Sequence, residues 1–473
     1  MKVVTRIYVY DERVSKIRDF VLKCLELRNL LIFFIKRYHE LTREWLISEG
    51  LLYSLMSKLN KRTLNNLDKM EKLSRISSVV GSDNELGMIL DKLKVMKSEL
   101  GNVSVVVSVL RQVCRDFKSY FEALKEWHRN KKKFTGKPNP PKVKDFDKVD
   151  KFSVEVMSFK RKGGRLEIKL NNGKKIKVKI PEFVGKVSSV RVVYFLGFGY
   201  VDVVWDKFIP ELKPLGNKRA AIDLGVRNFV TLVSEDKRIP SIVIKSSNVI
   251  AFNQWYNKLL TKLRSEHDKL KKNNPNCEEV KVLRKRIRLL HLHRKQWMES
   301  MMHELSKAIT LFLHKTGHSV VYIGMNKDWK RNVKLGKRNN QIFVQLPFRD
   351  FVNKLKYKCK WLGIEVVEVD ESYTSKCSCL SDDIFEVRKS EGKVPMSGNR
   401  ISRSLFKDMK LGKVFHADVN AAFNILRVGA KIKELFNDID KFVMLKLCNP
   451  LVYRFREFCK LVLCKRQLPS PLG

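Results

Sequence analysis

Hydrophobic positions change their spacing twice along the chain. Before residue 130, apolar residues such as Leu110, Val113 and Phe117 recur at helical spacing and predict an amphipathic helix. After residue 150 the period becomes two: RLEIKL and KKIKVKI alternate apolar and mostly polar residues on either side of Asn172 and Gly173. This pattern predicts a β-hairpin with lysines on its outer face.

A third region, from about residue 215, mixes both periods. The segments AAIDLG, FVTLVS and SIVIKS predict strands, and two helical patterns at 250–315 are interrupted by the breaker NNPN. Further strands are predicted at 319–324 and 363–371, and a final helix begins near HADVNAAFNILRVG at 416–429. Strands separated by helices, with a helical hairpin inserted, predict an α/β domain.

Composition adds a partner to this picture. The 473 residues include 96 Lys and Arg against 50 Asp and Glu, a formal net charge of +46, and 44% of them are hydrophobic. A folded chain of this length forms several domains, and so large a positive charge predicts nucleic acid as its partner. We find neither a membrane-spanning apolar run nor an N-terminal signal segment, so the expectation is a cytoplasmic protein without a membrane partner.

Basic residues cluster where a phosphate backbone could be followed. One face of the predicted helix and the linker RNKKKFTGKPNPPKVK are both basic, and a solvated basic face is the alternative for the helix. The candidate nucleic-acid contacts, which include two basic pairs farther along the chain, are Arg111, Arg115, Lys118, Lys125, Lys131, Lys132, Lys133, Lys137, Lys330, Arg331, Lys337 and Arg338.

Three acids are placed by the pattern where chemistry could occur. Asp223 ends the strand AAIDLG, Glu371 ends GIEVVEVDE, and Asp418 begins the last helix. Ligands collect at the carboxyl ends of parallel strands, so Asp223 and Glu371 would emerge at one edge if their strands are parallel. Taken singly, Asp223 also fits a turn acceptor and Asp418 a helix cap.

Four motifs in order carry a family resemblance. AAIDLGVRN, IGMNKDWKRNVKLGKRNNQIFVQLPF, ESYTSK and HADVNAAFNIL resemble the RuvC-type nuclease core of the TnpB family, which are transposon-encoded RNA-guided DNA endonucleases similar to the ancestors of type V CRISPR effectors. The helix ending in FKSYFEALKEWHRNKKKFTGKPNPP also resembles the recognition lobe of that family. Together these segments cover most of the chain.

The resemblance implies catalytic roles for Asp223 and Asp418, but it leaves the middle acid open. Most members carry a glutamate where this chain has Gly324, and part of the family, with the eukaryotic Fanzor relatives, carries it just before the YTS phrase, where Glu371 stands here. Adjacent strands lie about 4.8 Å apart, which a glutamate can largely span, and a glycine leaves room for it. Glu368, Asp370 and Asp328 are the alternatives.

Metal chemistry follows from the same resemblance. It implies two Mg²⁺ ions, with Mn²⁺ as a substitute, bound by Asp223, Glu371 and Asp418, one activating water and one stabilising the leaving 3′ oxygen. Many relatives have a four-cysteine zinc ribbon before the last acid, whereas this chain has only Cys377 and Cys379, with His416 as a distant third donor. Structural zinc needs four ligands, so we predict no zinc site.

The expected fold is a multidomain α+β protein with a RuvC-like (RNase H-like) α/β nuclease domain, a small β-barrel and a helical recognition lobe. In chain order the expected parts are a first barrel strand at 1–13, the lobe and linker at 14–144, the barrel at 145–214, the nuclease domain at 215–376 with its insertion at 250–315, a degenerate ribbon-like insert at 377–413, the final nuclease helix at 414–430, and a tail at 431–473. The tail is expected either to pack on the core or to be mobile.

The functional hypothesis is an endonuclease guided by RNA from its own locus, which recognises a short adjacent motif and cleaves double-stranded DNA. Its main alternative is a nuclease-inactive RNA-guided repressor, for which Gly324 would mark decay of the site. A basic packaging protein would explain the charge but not the ordered motifs. The oligomeric state is not indicated by the sequence.

Overall fold

The computed structural model describes residues 2–9, 11–57, 67–145, 151–195, 198–207, 212–275, 277–325, 345–433, 435 and 439–464. The chain forms two compact units, Met1–Phe208 and Ile209–Gly473, and each mixes helices with strands. It is therefore a multidomain α/β protein, and the units divide close to the expected boundary at residue 214. Among the helices in the described ranges, none is both long enough and apolar enough to span a bilayer.

The first unit combines five helices and seven strands in its described residues. The helices are α1 (Arg13–Thr42), α2 (Glu49–Leu55), α3 (Leu67–Ser82), α4 (Asn84–Leu100) and α5 (Val103–Arg129), followed by one 3₁₀ turn (Lys131–Lys133). The strands are β1 (Lys2–Val9), β2 (Lys151–Val156), β3 (Phe159–Lys162), β4 (Arg165–Lys169), β5 (Lys175–Lys179), β6 (Lys186–Phe195) and β7 (Phe198–Asp206).

These strands form two sheets instead of the single barrel that the alternation suggested. One sheet has the order β1-β7-β6-β2 and the other the order β3-β4-β5. The predicted hairpin is confirmed as β4 and β5, which pair Leu166 with Val178 and Ile168 with Ile176. These four side chains are buried in one core with helices α1, α4 and α5, because alternation places them on the same face of the sheet.

The basic linker after α5 is tied to helix α1. Arg28, which is buried, donates from Nη1 to Lys142 O at 3.3 Å, and Asn29 exchanges two hydrogen bonds with the backbone of Lys144. Residues 142–144 therefore run along a helix of their own unit.

The second unit is built around one six-stranded sheet. Its strands are β8 (Lys218–Asp223), β9 (Asn228–Ser234), β10 (Ile242–Lys245), β11 (His318–Gly324), β12 (Glu365–Val369) and β16 (Leu451–Arg454). A separate three-stranded sheet is formed by β13 (Gly398–Arg400), β14 (Leu405–Asp408) and β15 (Val414–His416). Its helices are α6 (Ser247–Asn273), α7 (Glu278–Lys315), α8 (Phe348–Trp361), α9 (Ile384–Lys389), α10 (Ala417–Ala430), α11 (Lys441–Cys448) and α12 (Phe455–Leu463). The predicted strands and the helical hairpin are confirmed.

Strand order in this sheet brings distant chain segments to one edge. The order is β12-β11-β8-β9-β10-β16, with β11 parallel to both β8 and β12. The carboxyl ends of β8, β11 and β12 therefore meet at one edge of the sheet. Asp223 ends β8, Gly324 ends β11, and Glu371 follows the end of β12 by two residues.

Helices cover both faces of the sheet. One core cluster joins strand residues to α7, α8 and α12, and a second joins the opposite face to α10 and α11. Because both faces are covered, the central strand β9 is buried at every position after its first, which explains its nearly continuous apolar sequence. The described part of the tail beyond residue 430 packs on this domain through β16, α11 and α12, which is the first of the two alternatives.

Candidate active site

Asp223 lies at the mouth of a cleft of about 1250 Å³ in the second unit. Three fully buried residues, Ala220, Ala221 and Ile222, precede it in strand β8 and hold that strand in the middle of the sheet. The strand then leaves the sheet at Leu224, so the carboxylate of Asp223 is delivered to the edge. It is a cleft-lining side chain, as the sequence predicted.

Asp418 lines the same cleft from the first turn of helix α10. Its side chain does not cap the helix, because His416 is the N-cap and its Nδ1 accepts from Val419 N at 3.4 Å. Both carboxylate oxygens are instead held by other segments: Asn228 Nδ2 donates to Oδ2 at 2.7 Å and Arg400 Nη2 to Oδ1 at 2.6 Å. The capping alternative is therefore wrong.

Glu371 is the third acid that lines this cleft. The end of its strand pairs with the end of β11, where Gly324 lies opposite Val369. A Cβ built on Gly324 would lie 3.4 Å from Glu371 Cβ and only 2.5 Å from Ile425 Cδ1 in helix α10. The side chains of Ile425 and Glu371 therefore lie next to the position that a side chain at 324 would take.

The two described alternatives to Glu371 have other partners. Glu368 accepts from Arg349 Nη1 at 2.9 Å and pairs with Lys356 Nζ at 2.8 Å. Asp370 accepts from Ser372 Oγ at 2.8 Å and lines a separate, smaller cavity. Neither lines the cleft with Asp223 and Asp418. Asp328, the fourth alternative, lies outside the described residues.

Clustering of the acids has an electrostatic consequence. Burial, reinforced by the carboxylates of Asp418 and Glu371, raises the pKa of Asp223 well above its usual range, against a lowering by Arg400. Like charges brought together out of water favour the protonated acid or a bound cation. The same cleft is lined by basic side chains that suit a phosphate backbone: Arg227, Lys245, Arg400 and Arg403.

The donor chemistry fits hard divalent cations. All three acids offer carboxylate oxygens, which Mg²⁺ and Mn²⁺ prefer, and their mutual repulsion at Asp223 is what a cation would relieve. In the described part of the chain, no three His, Cys, Asp or Glu side chains are close enough together to form a finished metal site. At Asp418 the Arg400 guanidinium holds one carboxylate oxygen.

The two side chains that contact Asp418 were not predicted from the sequence. Asn228 belongs to the AAIDLGVRN motif but is uncharged, so it was not selected as a candidate. Arg400 is one of many basic residues in the 377–413 insert. Strand β13 of that insert brings Arg400 over the start of helix α10.

The 377–413 insert contains the two cysteines that were considered as zinc ligands. Cys377 and Cys379 are buried and free, and burial raises the pKa of each thiol to about 12. Their backbone groups are hydrogen-bonded to helix α10, whereas His416, the predicted distant donor, lines the cleft beside Asp418.

The predicted nucleic-acid contacts that fall within the described residues lie on the surface of the first unit. All eight between Arg111 and Lys137 are exposed. Arg111 pairs with Glu49 at 3.3 Å and Lys133 with Glu126 at 2.9 Å, so these two carry less uncompensated charge than the others. The remaining four, Lys330, Arg331, Lys337 and Arg338, lie outside the described residues.

Comparison with known proteins identifies two family matches within the chain. Residues 203–330 match a family described as "Probable transposase" (OrfB_IS605), and residues 348–425 match "Cas12f1-like, TNB domain". Among curated proteins, the TnpB-like protein ORF457 of Acidianus two-tailed virus is 26% identical over 239 residues, which cover 48% of this chain and 46% of that protein. The match thus spans about half the length of each.

Solved structures give a weaker likeness. A Cas12f1-sgRNA-target DNA complex aligns with 90% of this chain and 99% of its own at 16% identity and a TM-score of 0.30. A CRISPR-Cas12f ternary complex aligns with 88% of this chain and 82% of its own at 17% identity and a TM-score of 0.32. Scores at this level do not support the transfer of residue roles.

Proposed function

We propose that this chain, which belongs to the TnpB family, is an RNA-guided DNA endonuclease that hydrolyses phosphodiester bonds in the cleft of its second unit. TnpB proteins are transposon-associated nucleases. The observation that carries the proposal is the meeting of Asp223, Glu371 and Asp418, from chain segments far apart in sequence, in one cleft. A sheet of this order, with its helices on both faces, is what the RNase H-like expectation implies.

In this proposal the three carboxylates hold two divalent cations, Mg²⁺ or Mn²⁺. Bound there, such ions would activate water for attack at neutral pH and would neutralise charge on the leaving oxygen. The chain's own residues provide orientation: Asn228 donates to one oxygen of Asp418, which fixes the plane of that carboxylate. Arg227, Lys245 and Arg403 line the cleft and would bind the phosphates on either side of the scissile bond.

Arg400 has a place in the same proposal. Its guanidinium, which is partly exposed, contacts Asp418 Oδ1, so a cation binding there has to compete with it or displace it. A displaced guanidinium would still lie beside the scissile phosphate, where its fork geometry suits two phosphate oxygens. Arg400 is therefore assigned to phosphate binding and to charge compensation of Asp418 before metal enters.

The partners follow from the charge and the family. A net charge of +46 suits a protein that holds a guide RNA and its DNA target, since base pairing selects the sequence while the protein supplies charge and shape. The exposed basic residues of α5 and the following linker are proposed to bind that nucleic acid. The same proposal includes recognition of a short motif beside the target. It places the reaction in the cytoplasm, on transposon-linked DNA.

The test is cleavage of a plasmid library by the full chain, purified with RNA from its own locus, in Mg²⁺. We expect Glu371→Gln, Asp223→Asn and Asp418→Asn each to lower cleavage by roughly a hundredfold or more while binding of target DNA is kept. Glu368→Gln is the matched control, because Glu368 lies three residues before Glu371, in strand β12, but pairs with Arg349 and Lys356.

The outcomes separate the candidates. Cleavage that survives Glu371→Gln but not Glu368→Gln would assign the middle acid to Glu368. Binding of guided DNA without any cleavage by the unmodified protein would favour the nuclease-inactive repressor, for which the absence of a side chain at Gly324 is the specific observation.

A further inference from the structure

Helix α10 buries a row of polar side chains against the segment that follows strand β12. Asn420, Asn424 and Arg427 recur at helical spacing and are at most 1% exposed. Burying a polar side chain costs free energy unless it forms hydrogen bonds, so the hydrogen-bond partners of these three side chains indicate their role.

The two asparagines bond backbone groups of a single irregular stretch. Asn420 Nδ2 donates to Cys377 O at 2.9 Å, and its Oδ1 accepts from Cys379 N at 2.7 Å. Asn424 Nδ2 donates to Thr374 O at 2.9 Å and to Cys377 O at 2.7 Å. An irregular backbone that lacks sheet partners is thereby satisfied by one helix.

This stretch is connected directly to Glu371. Thr374, which is 3% exposed, donates to Glu371 O from its backbone N at 3.1 Å and from Oγ1 at 2.8 Å. On the other side, Arg388 Nη1 donates to Asp370 O at 2.9 Å and to Ser372 O at 2.7 Å. The carbonyl groups at 370, 371 and 372 all have donors from buried or partly buried side chains.

We propose that Thr374 and Asn424 are positioning residues that set Glu371 relative to Asp418. Helix α10 presents Asp418 in its first turn and, through Asn424 and then Thr374, also holds the backbone from which Glu371 extends. Two of the three acids therefore depend on one rigid helix. The inference rests on the proposed function, since it assigns the reason why these two acids must stay in register.

Thr374 offers the sharpest variant pair. Thr374→Val keeps the shape and removes the Oγ1 donor to Glu371 O, whereas Thr374→Ser keeps the hydroxyl. With the full chain and its RNA, we expect Thr374→Val to raise the Mn²⁺ concentration at half-saturation at least threefold, followed by electron paramagnetic resonance, and to lower cleavage about tenfold. Thr374→Ser should stay within twofold of the unmodified protein in both measurements.

Asn424→Asp tests the helix side of the connection. The aspartate has the same size but cannot donate to Thr374 O and Cys377 O when ionised, so these carbonyls lose their partner. We expect amide hydrogen exchange within 371–377 to become at least tenfold faster. Asn449→Asp, at an exposed asparagine after helix α11, introduces the same charge and should leave exchange in 371–377 unchanged.

The outcomes are separable from those of the proposed function. If the unmodified protein neither cleaves nor binds Mn²⁺, the endonuclease proposal fails, while faster exchange in Asn424→Asp still supports the positioning of 371–377. If Thr374→Val and Asn424→Asp fold and show unchanged exchange and unchanged Mn²⁺ affinity, the positioning inference is overturned. If Asn424→Asp does not fold, the Thr374 pair decides alone.

Discussion

His318 is fully buried at the first residue of strand β11, and both of its ring nitrogens have hydroxyl partners. Nε2 lies 2.8 Å from Ser234 Oγ and Nδ1 lies 2.8 Å from Thr316 Oγ1. Burial lowers the pKa of His318 to about 4. A neutral imidazole can serve both hydroxyls, since these groups donate as well as accept, whereas protonation would bury a charge.

This burial predicts acid sensitivity at a single residue. Between the ordinary pKa near 6.5 and about 4, the unfolded chain binds a proton that the folded chain does not, so the free energy of unfolding falls as pH falls through that window. The loss from His318 should be about 2 kcal/mol between pH 7.5 and 5. Denaturant unfolding at the two pH values measures it.

The comparison is made against His318→Gln, which cannot titrate and should lose about 2 kcal/mol less than the unmodified protein over the same interval. His293→Gln, at an exposed histidine, should behave like the unmodified protein. An equal pH dependence in all three proteins would contradict the assignment to His318.

Sequence reasoning at this scale found the acids but not their neighbours. Asp223 and Asp418 could be placed because each stands at a predictable end of a strand or helix, and Glu371 because it follows a predictable strand. Asn228 and Arg400 could not, since their contacts with Asp418 depend on how a loop and an insert fold back in space. A charged or amide side chain has no periodicity that reveals its partner.

At the scale of elements, strand β16 and helix α12 are part of the second unit's core. Strand β16 pairs in parallel with β10 as an edge strand, and helix α12 packs against helix α7. Phe455 is fully buried, and its ring centroid lies 6.2 Å from that of Phe229. Phe229 in turn stacks on Phe348 at 5.1 Å, so the last helix closes an aromatic cluster.

Removing the last member of this cluster should destabilise the whole unit. We expect Phe455→Ala to lower the free energy of unfolding by about 3–5 kcal/mol, because it leaves a cavity between strand and helix. Phe442→Ala is the control, since that ring is 50% exposed and should change stability by less than about 1 kcal/mol. Thermal or denaturant unfolding of the full chain distinguishes them, and similar losses in both would contradict the packing role.

Periodicity foresaw most elements of the second unit but less of the sheets of the first. The hairpin of β4 and β5 is local, and its alternation is visible within residues 165–179. By contrast, β1 pairs with β7 across almost the whole unit, as in the pairing of Lys2 with Asp206. The residues of a strand do not specify such a distant partner. The sequence therefore could not distinguish one barrel from two sheets.

At the scale of the whole molecule, charge should govern nucleic-acid affinity. Lys131, Lys132 and Lys137 are exposed in the linker after α5. Changing all three to Gln should weaken binding of RNA or DNA and reduce the slope of log affinity against log salt by roughly 2 to 3, since each phosphate contact contributes about 0.7 to 0.9. Filter binding or fluorescence anisotropy over a range of salt concentrations measures both quantities.

A control with the same change in net charge separates a local contact from the overall field. Lys23, Lys94 and Lys281 each pair with a carboxylate, those of Glu99, Asp91 and Glu278. Changing these three to Gln should alter the slope by less than 1. If the two triple variants lose affinity equally, the linker has no special role and only total charge matters.

Gly324, at the end of β11, also constrains the order in which substitutions can occur during evolution. Any side chain added at Gly324 must first push aside the tip of Ile425, which belongs to the helix that presents Asp418. An acid introduced at 324 would therefore displace a side chain of the helix that carries Asp418, unless position 425 had already become smaller. The order of the two substitutions, and not only their sum, then decides which variants are accessible.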